Sequence, residues 1–186
     1  MRNRSTASET AGKRSGCAIN AAVEALGDQW SVLVLRDIAF GDRRYFRELL
    51  TGSEEGIASN MLADRLRRLV DAGLLTREDA ARGQRVRYSL TEAGIRTLPV
   101  LYALGNWGLD WRSGTPALRT RQEVMRAAGP QFVEDLMDEL RVRHLGAAPT
   151  VTDGPTPSER LRAAYEAALT GPEHPTAAST SAPGGG

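Results

Sequence analysis

Asn60, Asp64 and Arg67 stand at i, i+4 and i+7, with Ser59, Ala63 and Arg68 on the margins of the same face. On a helix turning about 100° per residue they form one short polar stripe, opposite Leu62, Leu66 and Leu69. These side chains do hydrogen-bonding chemistry. Asn60 can offer its donor and acceptor together to an adenine edge, and Arg67 can bond a guanine or a phosphate. Ser59 and Asn60 would enter a groove first, at the helix N-terminus. Asp64 repels phosphate, so it either accepts from a cytosine amine or pairs with Arg67 or Arg68. Arg65 falls nearer the apolar margin and reads as a packing or backbone-contact residue. A second set, Arg82, Gln84 and Arg85, surrounds Gly83, with Arg87 two residues on. A third, Arg43, Arg44 and Arg47, offers phosphate contacts, and a solvated face explains it equally well.

Other chemistries find little support. The chain has two histidines, His144 and His174, and one cysteine, Cys17, so no metal-ligand spacing exists. There is no G-x-S-x-G, P-loop or dinucleotide fingerprint. No enzymatic activity, cofactor or metal is expected. A single cysteine excludes an intramolecular disulfide and hence a secreted disulfide scaffold. The first 16 residues lack an apolar stretch of signal-peptide type, and runs such as Val32-Leu33-Val34-Leu35 are far too short to span a membrane. A cytoplasmic protein with no membrane partner is expected.

The elements that must position these groups can be read from periodicity. Ile19, Val23 and Leu26 recur at i, i+4, i+7 and give a first helix closed by Gly27. Residues 30–40 are apolar nearly all round, which suits a helix at the centre of a core. Tyr45 to Leu50 makes a short third helix with Phe46, Leu49 and Leu50 inward, and 51–56 is the turn before the polar-striped helix over 58–72. Gly73 stops that helix. Leu75 to Leu90 then alternates like a two-stranded ribbon around the turn at 81–84, with Arg87 outward and Leu75, Val86 and Tyr88 inward. A helix followed at once by a hairpin with a basic tip is the layout of a winged helix-turn-helix. Thr91 caps a long helix to about Trp111, kinked by Pro99. Its apolar residues occupy more than one face, and the second face wants a partner, most simply the same helix of another subunit.

The charge distribution fits this layout. The 186 residues are 41% hydrophobic with a net charge of +1, which by itself favours no partner. Yet residues 1–112 carry 17 Arg/Lys against 14 Asp/Glu, and residues 113–186 carry 7 against 9. Residues 58–88 hold seven arginines against four acids, a local basic patch able to contact phosphates. The arm 1–16 and the tail 171–186 are polar or rich in Pro, Ser, Thr, Ala and Gly, and read as disordered. Residues 113–170 form a helical extension of unassigned role. It has an amphipathic helix near 130–145, a weaker one at 117–128, and a last one capped by Ser158.

Several segments in order carry a family resemblance. They are Cys17, the run Ala25-Leu26-Gly27-Asp28-Gln29-Trp30 through Asp37, then Gly41 to Leu49, Met61 to Leu69, Gly73-Leu74-Leu75, Arg85 to Gly94, Pro99-Val100-Leu101 and Trp107-Gly108. Together they resemble the HxlR-type winged helix regulators, relatives of the MarR group, over residues 17–112. The resemblance implies a homodimeric transcription factor on inverted-repeat double-stranded DNA, dimerised through the first and last helices of the domain. Some members of that family sense oxidants or electrophiles through a cysteine at the position of Cys17, which makes it a candidate redox sensor. Two residues depart from the family pattern: Ala18 follows the cysteine where Pro is common, and Ala58 stands where a Ser-type cap is common.

The fold class expected is therefore mainly α with a small β-wing, dimerised by terminal helices, plus a helical C-terminal extension. The function expected is sequence-specific DNA binding that represses transcription, with an oxidant, electrophile or small molecule as effector. Two alternatives stay open: a winged helix that binds a protein partner instead of DNA, and a small-molecule enzyme or binding protein in which the 113–170 helices build the active pocket.

Overall fold

Leucines at helical spacing decide the architecture. In the computed structural model, which describes residues 16–78, 85–149 and 154–170, the chain runs α1 (Ala18–Leu26), α2 (Gln29–Gly41), α3 (Phe46–Gly52), α4 (Ser59–Asp71), β1 (Leu75–Glu78), β2 (Arg87–Leu90), α5 (Glu92–Ile95), α6 (Leu98–Trp111), α7 (Pro116–Ala128), α8 (Pro130–Leu145) and α9 (Pro157–Thr170). Residues 1–15, 79–84, 150–153 and 171–186 lie outside the described residues, and with them Arg82, Gln84 and most of the arm and tail expected to be disordered.

The apolar helix α2 is central, as expected. Val34, Leu35, Ile38 and Ala39 are buried, and the helix packs against α4 and α6. Asp28 caps it by accepting from the Ser31 N–H at 3.0 Å, which satisfies one of the free first-turn donors. From α4, Leu62, Leu66 and Leu69 enter the same core. That helix ends where Gly73 takes the left-handed conformation, φ 71°, which a side chain would disfavour.

The two strands pair antiparallel with Leu75 opposite Leu90 and Glu78 opposite Arg87. A bridge between Tyr45 and Arg87, and the Tyr88 N–H donating to the Arg44 carbonyl at 2.8 Å, tie the wing to the start of α3. The expected long helix after Thr91 is two helices. Thr91 does cap, accepting from the Gly94 N–H at 3.0 Å, but α5 is only one turn. Pro99 falls in the first turn of α6 and kinks nothing. Its missing N–H is harmless there, whereas mid-helix it would break the ladder.

The C-terminal helices complete the same core. Met125, Phe132, Val133, Leu136, Met137, Leu140 and Leu161 are continuous with the α2 and α4 leucines. Arg141 reaches Glu92 through two hydrogen bonds of 3.0 and 2.9 Å, and Gln122 donates to the Tyr102 carbonyl at 3.1 Å. At α9, Thr156 and Glu159 hydrogen-bond each other's side chain and N–H reciprocally. The cap is therefore Thr156, two residues before the Ser158 expected, and Ser158 lies inside the helix.

Candidate nucleic-acid interface

The polar face of α4 is built by the burial of the opposite face. With Leu62, Leu66 and Leu69 inside, Ser59, Asn60, Ala63, Arg67 and Arg68 are exposed. Ala58 holds the N-cap position and has no side-chain cap bond, so the helix starts at Ser59 with its first-turn N–H groups uncapped. Such an end carries partial positive charge and free donors.

Asp64 is half-buried and gathers the helix's arginines. It pairs with Arg65 at 2.5 Å, Arg67 at 3.2 Å and Arg68 at 3.0 Å. Arg65 does not join the exposed face. Its Nε donates to Asp28 Oδ1 at 2.6 Å, linking α4 to the cap of α2. Burial pushes the Asp28 carboxyl up, but hydrogen bonds from Ser31 and Arg65 outweigh it and hold it below its ordinary value.

A second clamp fixes the turn before α4. Arg36 donates to both oxygens of Glu55, at 2.6 and 2.9 Å, and its Nε to Asp37 at 2.9 Å. Burial leaves the Asp37 carboxyl raised despite Arg36 and Arg43 beside it. Sequence reasoning missed this clamp because its members lie 19 residues apart.

The arginines expected at phosphates divide. Arg47 is exposed, and Arg43 is half-buried and pairs with Asp37 at 3.3 Å. Arg44 is a correction: it is 6% exposed. Its guanidinium donates to the Tyr88 carbonyl at 3.3 Å, to the Arg143 carbonyl at 3.2 Å and to Ser89 Oγ. It joins the wing to α8 from inside, because two carbonyls and a hydroxyl converge there and would otherwise be buried without a donor. On the wing, Arg85 is exposed with its guanidinium 4.7 Å over the Tyr45 ring, while Arg87 is half-buried and reaches Glu78 at 3.8 Å. Arg77 is also exposed on β1. Arg77 stands opposite Tyr88, so strand alternation puts it on the other face of the wing from Arg87.

Away from α4, α1 and α6 expose apolar side chains: Ile19 (76%), Val23 (55%), Trp107 (52%) and Trp111 (68%). A groove of about 310 Å³ runs between the two helices, lined by Val23, Leu26, Val100 and Leu104 among others. Cys17 is exposed at the N-cap of α1. Among the described residues no group of His, Cys, Asp and Glu could hold a metal ion, and no helix is long and apolar enough to cross a membrane.

Comparison with known proteins bears on this geometry. The family model described as HxlR-like helix-turn-helix matches residues 25–115. The chain is 38% identical over 96 residues to the HTH-type transcriptional regulator sll1512 of Synechocystis sp., covering 51% of this chain and 70% of that relative. The chain belongs to the HxlR-like helix-turn-helix family. It is also 32% identical over 112 residues to the HTH-type transcriptional regulator Rv3095 of Mycobacterium tuberculosis, covering 59% of this chain and 69% of that one. The solved structure of the transcription factor PA1607 superposes with a TM-score of 0.50 at 35% identity, over 55% of this chain and 70% of that chain. This HxlR-family chain is a winged helix transcriptional regulator, and its relatives are named as regulators, not enzymes. The family match spans α2 to α6, and α7, α8 and α9 fall beyond it.

Proposed function

We propose that this regulator is a homodimeric repressor that acts in the cytoplasm on an inverted-repeat operator in double-stranded DNA. The observation that carries the reading is the first turn of α4: exposed, without a side-chain cap, and followed by Arg67 and Arg68 on the same surface. A phosphate completes such a helix end. Ser59, Asn60, Ala63 and Arg67 face the base edges, and Arg68 the backbone. Asp64 holds the arginines in place and releases them in part to DNA. The wing, through Arg82, Gln84 and Arg85, reaches the neighbouring minor groove, with Arg43 and Arg47 on phosphates. Residues 17–112 are the DNA-binding domain, and residues 113–170 brace it.

The second copy covers the apolar α1 and α6 faces. Exposed Trp107, Trp111, Ile19 and Val23 side chains are costly in water and gain about 25 cal/mol per Å² when covered. Two α4 helices held in that way reach successive major grooves about 34–36 Å apart. Cys17, exposed beside this face, responds to peroxide: two thiols, one per subunit, form a disulfide and two water molecules are released. Loss of any oxidant response in Cys17→Ser tests that part, and an unchanged response removes the thiol.

Mobility-shift titration of the upstream region of its own gene tests the DNA reading. Asn60→Ala should weaken the complex while leaving binding to random duplex unchanged. Equal loss on both would mean that Asn60 reads no base.

A further inference from the structure

A cavity of about 220 Å³ lies between the C-terminal end of α2 and helices α7, α8 and α9. Arg43, Arg121, Arg143 and Arg162 line it, against one carboxylate, Asp42. Two of these cations are compensated: Arg43 by Asp37, and Arg143 by Glu139, with Ser158 Oγ accepting from Arg143 at 3.2 Å. The other two are not. The Arg121 guanidinium lies 4.1 Å over the Tyr165 ring, and among the described residues no carboxylate comes within ion-pair distance of Arg121 or Arg162. Burial, then the neighbouring charges of Arg43 and Arg36, push the Arg121 pKa down, against opposite pulls from Tyr165 and Glu54. Arg121 is half-buried and Arg162 exposed, and like charges brought together at such a concavity favour an anion between them.

We propose that this cavity binds a compact organic oxyanion, a phosphate ester or hydroxycarboxylate, and that its occupancy sets the DNA affinity of α4. The guanidinium forks of Arg121 and Arg162 match a phosphate or carboxylate. Asp42 lines the same space with its carboxylate exposed, and a bare anion beside it would be repelled where a ligand hydroxyl would donate to it. Phe40 and Leu161 close the apolar side, and the volume, below the roughly 300–1,000 Å³ of common ligand pockets, limits the size. Phe40 to Arg43 lie within the family match, whereas the lining residues from α7, α8 and α9 fall beyond it, so the cavity gives the C-terminal helices a role.

The link to α4 is the ion-pair chain already described. Arg43 shares Asp37 with Arg36, and Arg36 holds Glu55 in the turn before α4. An anion that draws Arg43 from Asp37 leaves Arg36 as the sole partner of two carboxylates and resets that turn. This second half rests on α4 being the DNA-reading helix.

Calorimetry on the full chain without DNA tests the site, using glycerol 3-phosphate and citrate against chloride at matched ionic strength. At least one probe should bind, and Arg121→Gln with Arg162→Gln should weaken it tenfold or more, while Arg126→Gln, outside the cavity, should not. No binding above chloride, or binding that survives the double variant, overturns the site. Duplex affinity with and without the bound probe then tests the coupling. A several-fold shift, absent from the double variant, supports it, and an unchanged affinity overturns it. A protein that binds the probe yet no specific duplex would count against the DNA reading and leave the site standing.

Discussion

Arg67 and Arg44 show how one residue type serves two ends. Arg67 is exposed on α4, and Arg67→Ala is expected to lower operator affinity by about 1–3 kcal/mol with little change in Tm. Arg44 is enclosed, and Arg44→Ala should do the reverse. It leaves the Tyr88 and Arg143 carbonyls without their donor, a loss of about 1–3 kcal/mol in stability, while the salt dependence of DNA binding stays the same. Thermal melts and binding titrations on both variants check the pair. His144 makes a third prediction. Its Nδ1 accepts from the Leu90 N–H at 3.2 Å. Burial, and then Arg44, Arg143 and Arg87, push its pKa down to about 3. The unfolded chain takes a proton on this ring below about pH 6.5, while the folded chain does so only near 3. The contribution is thus full above about pH 6.5 and is lost as pH falls through that window. His144→Gln keeps an acceptor and cannot titrate, so its Tm should fall less steeply between about pH 6.5 and 4.

At the scale of elements, α4 rests on its leucine stripe. Leu66→Ala should cost about 2–5 kcal/mol, because the neighbours of a buried leucine close only part of the cavity left behind; a chemical denaturation curve measures it. That stripe, the polar face opposite it and the antiparallel wing were legible because each is a local period of 3.6 or 2. The division between α5 and α6 was not. Thr91, Pro99 and the apolar residues between them fit one kinked helix as well as two, and only packing against α8 chooses. The inward turn of Arg44 was equally hidden. Its partner carbonyl at Arg143 lies 99 residues away, and nothing in the types of residues 43–47 separates a buried arginine from an exposed one. The cap at Thr156 was missed by two residues for a smaller reason: Thr and Ser are both good caps, and the reciprocal Glu159 bond that favours Thr156 is the decisive sign.

The whole molecule has two surfaces on opposed duties, a basic one around α4 and the wing and an apolar one on α1 and α6. Leu104→Glu places a charge on the apolar face and is expected to yield monomers in sedimentation experiments. DNA affinity should fall with it, since half-sites bound singly lose the gain of linkage. The most direct test of the central claim, that two α4 helices read neighbouring turns of one operator, is quantitative footprinting on the upstream region of its own gene across a salt series. The account predicts a protected inverted repeat with half-sites about 10–10.5 base pairs apart and an affinity that falls steeply with salt. Protection no stronger than on random duplex, or a single unpaired half-site, would contradict it.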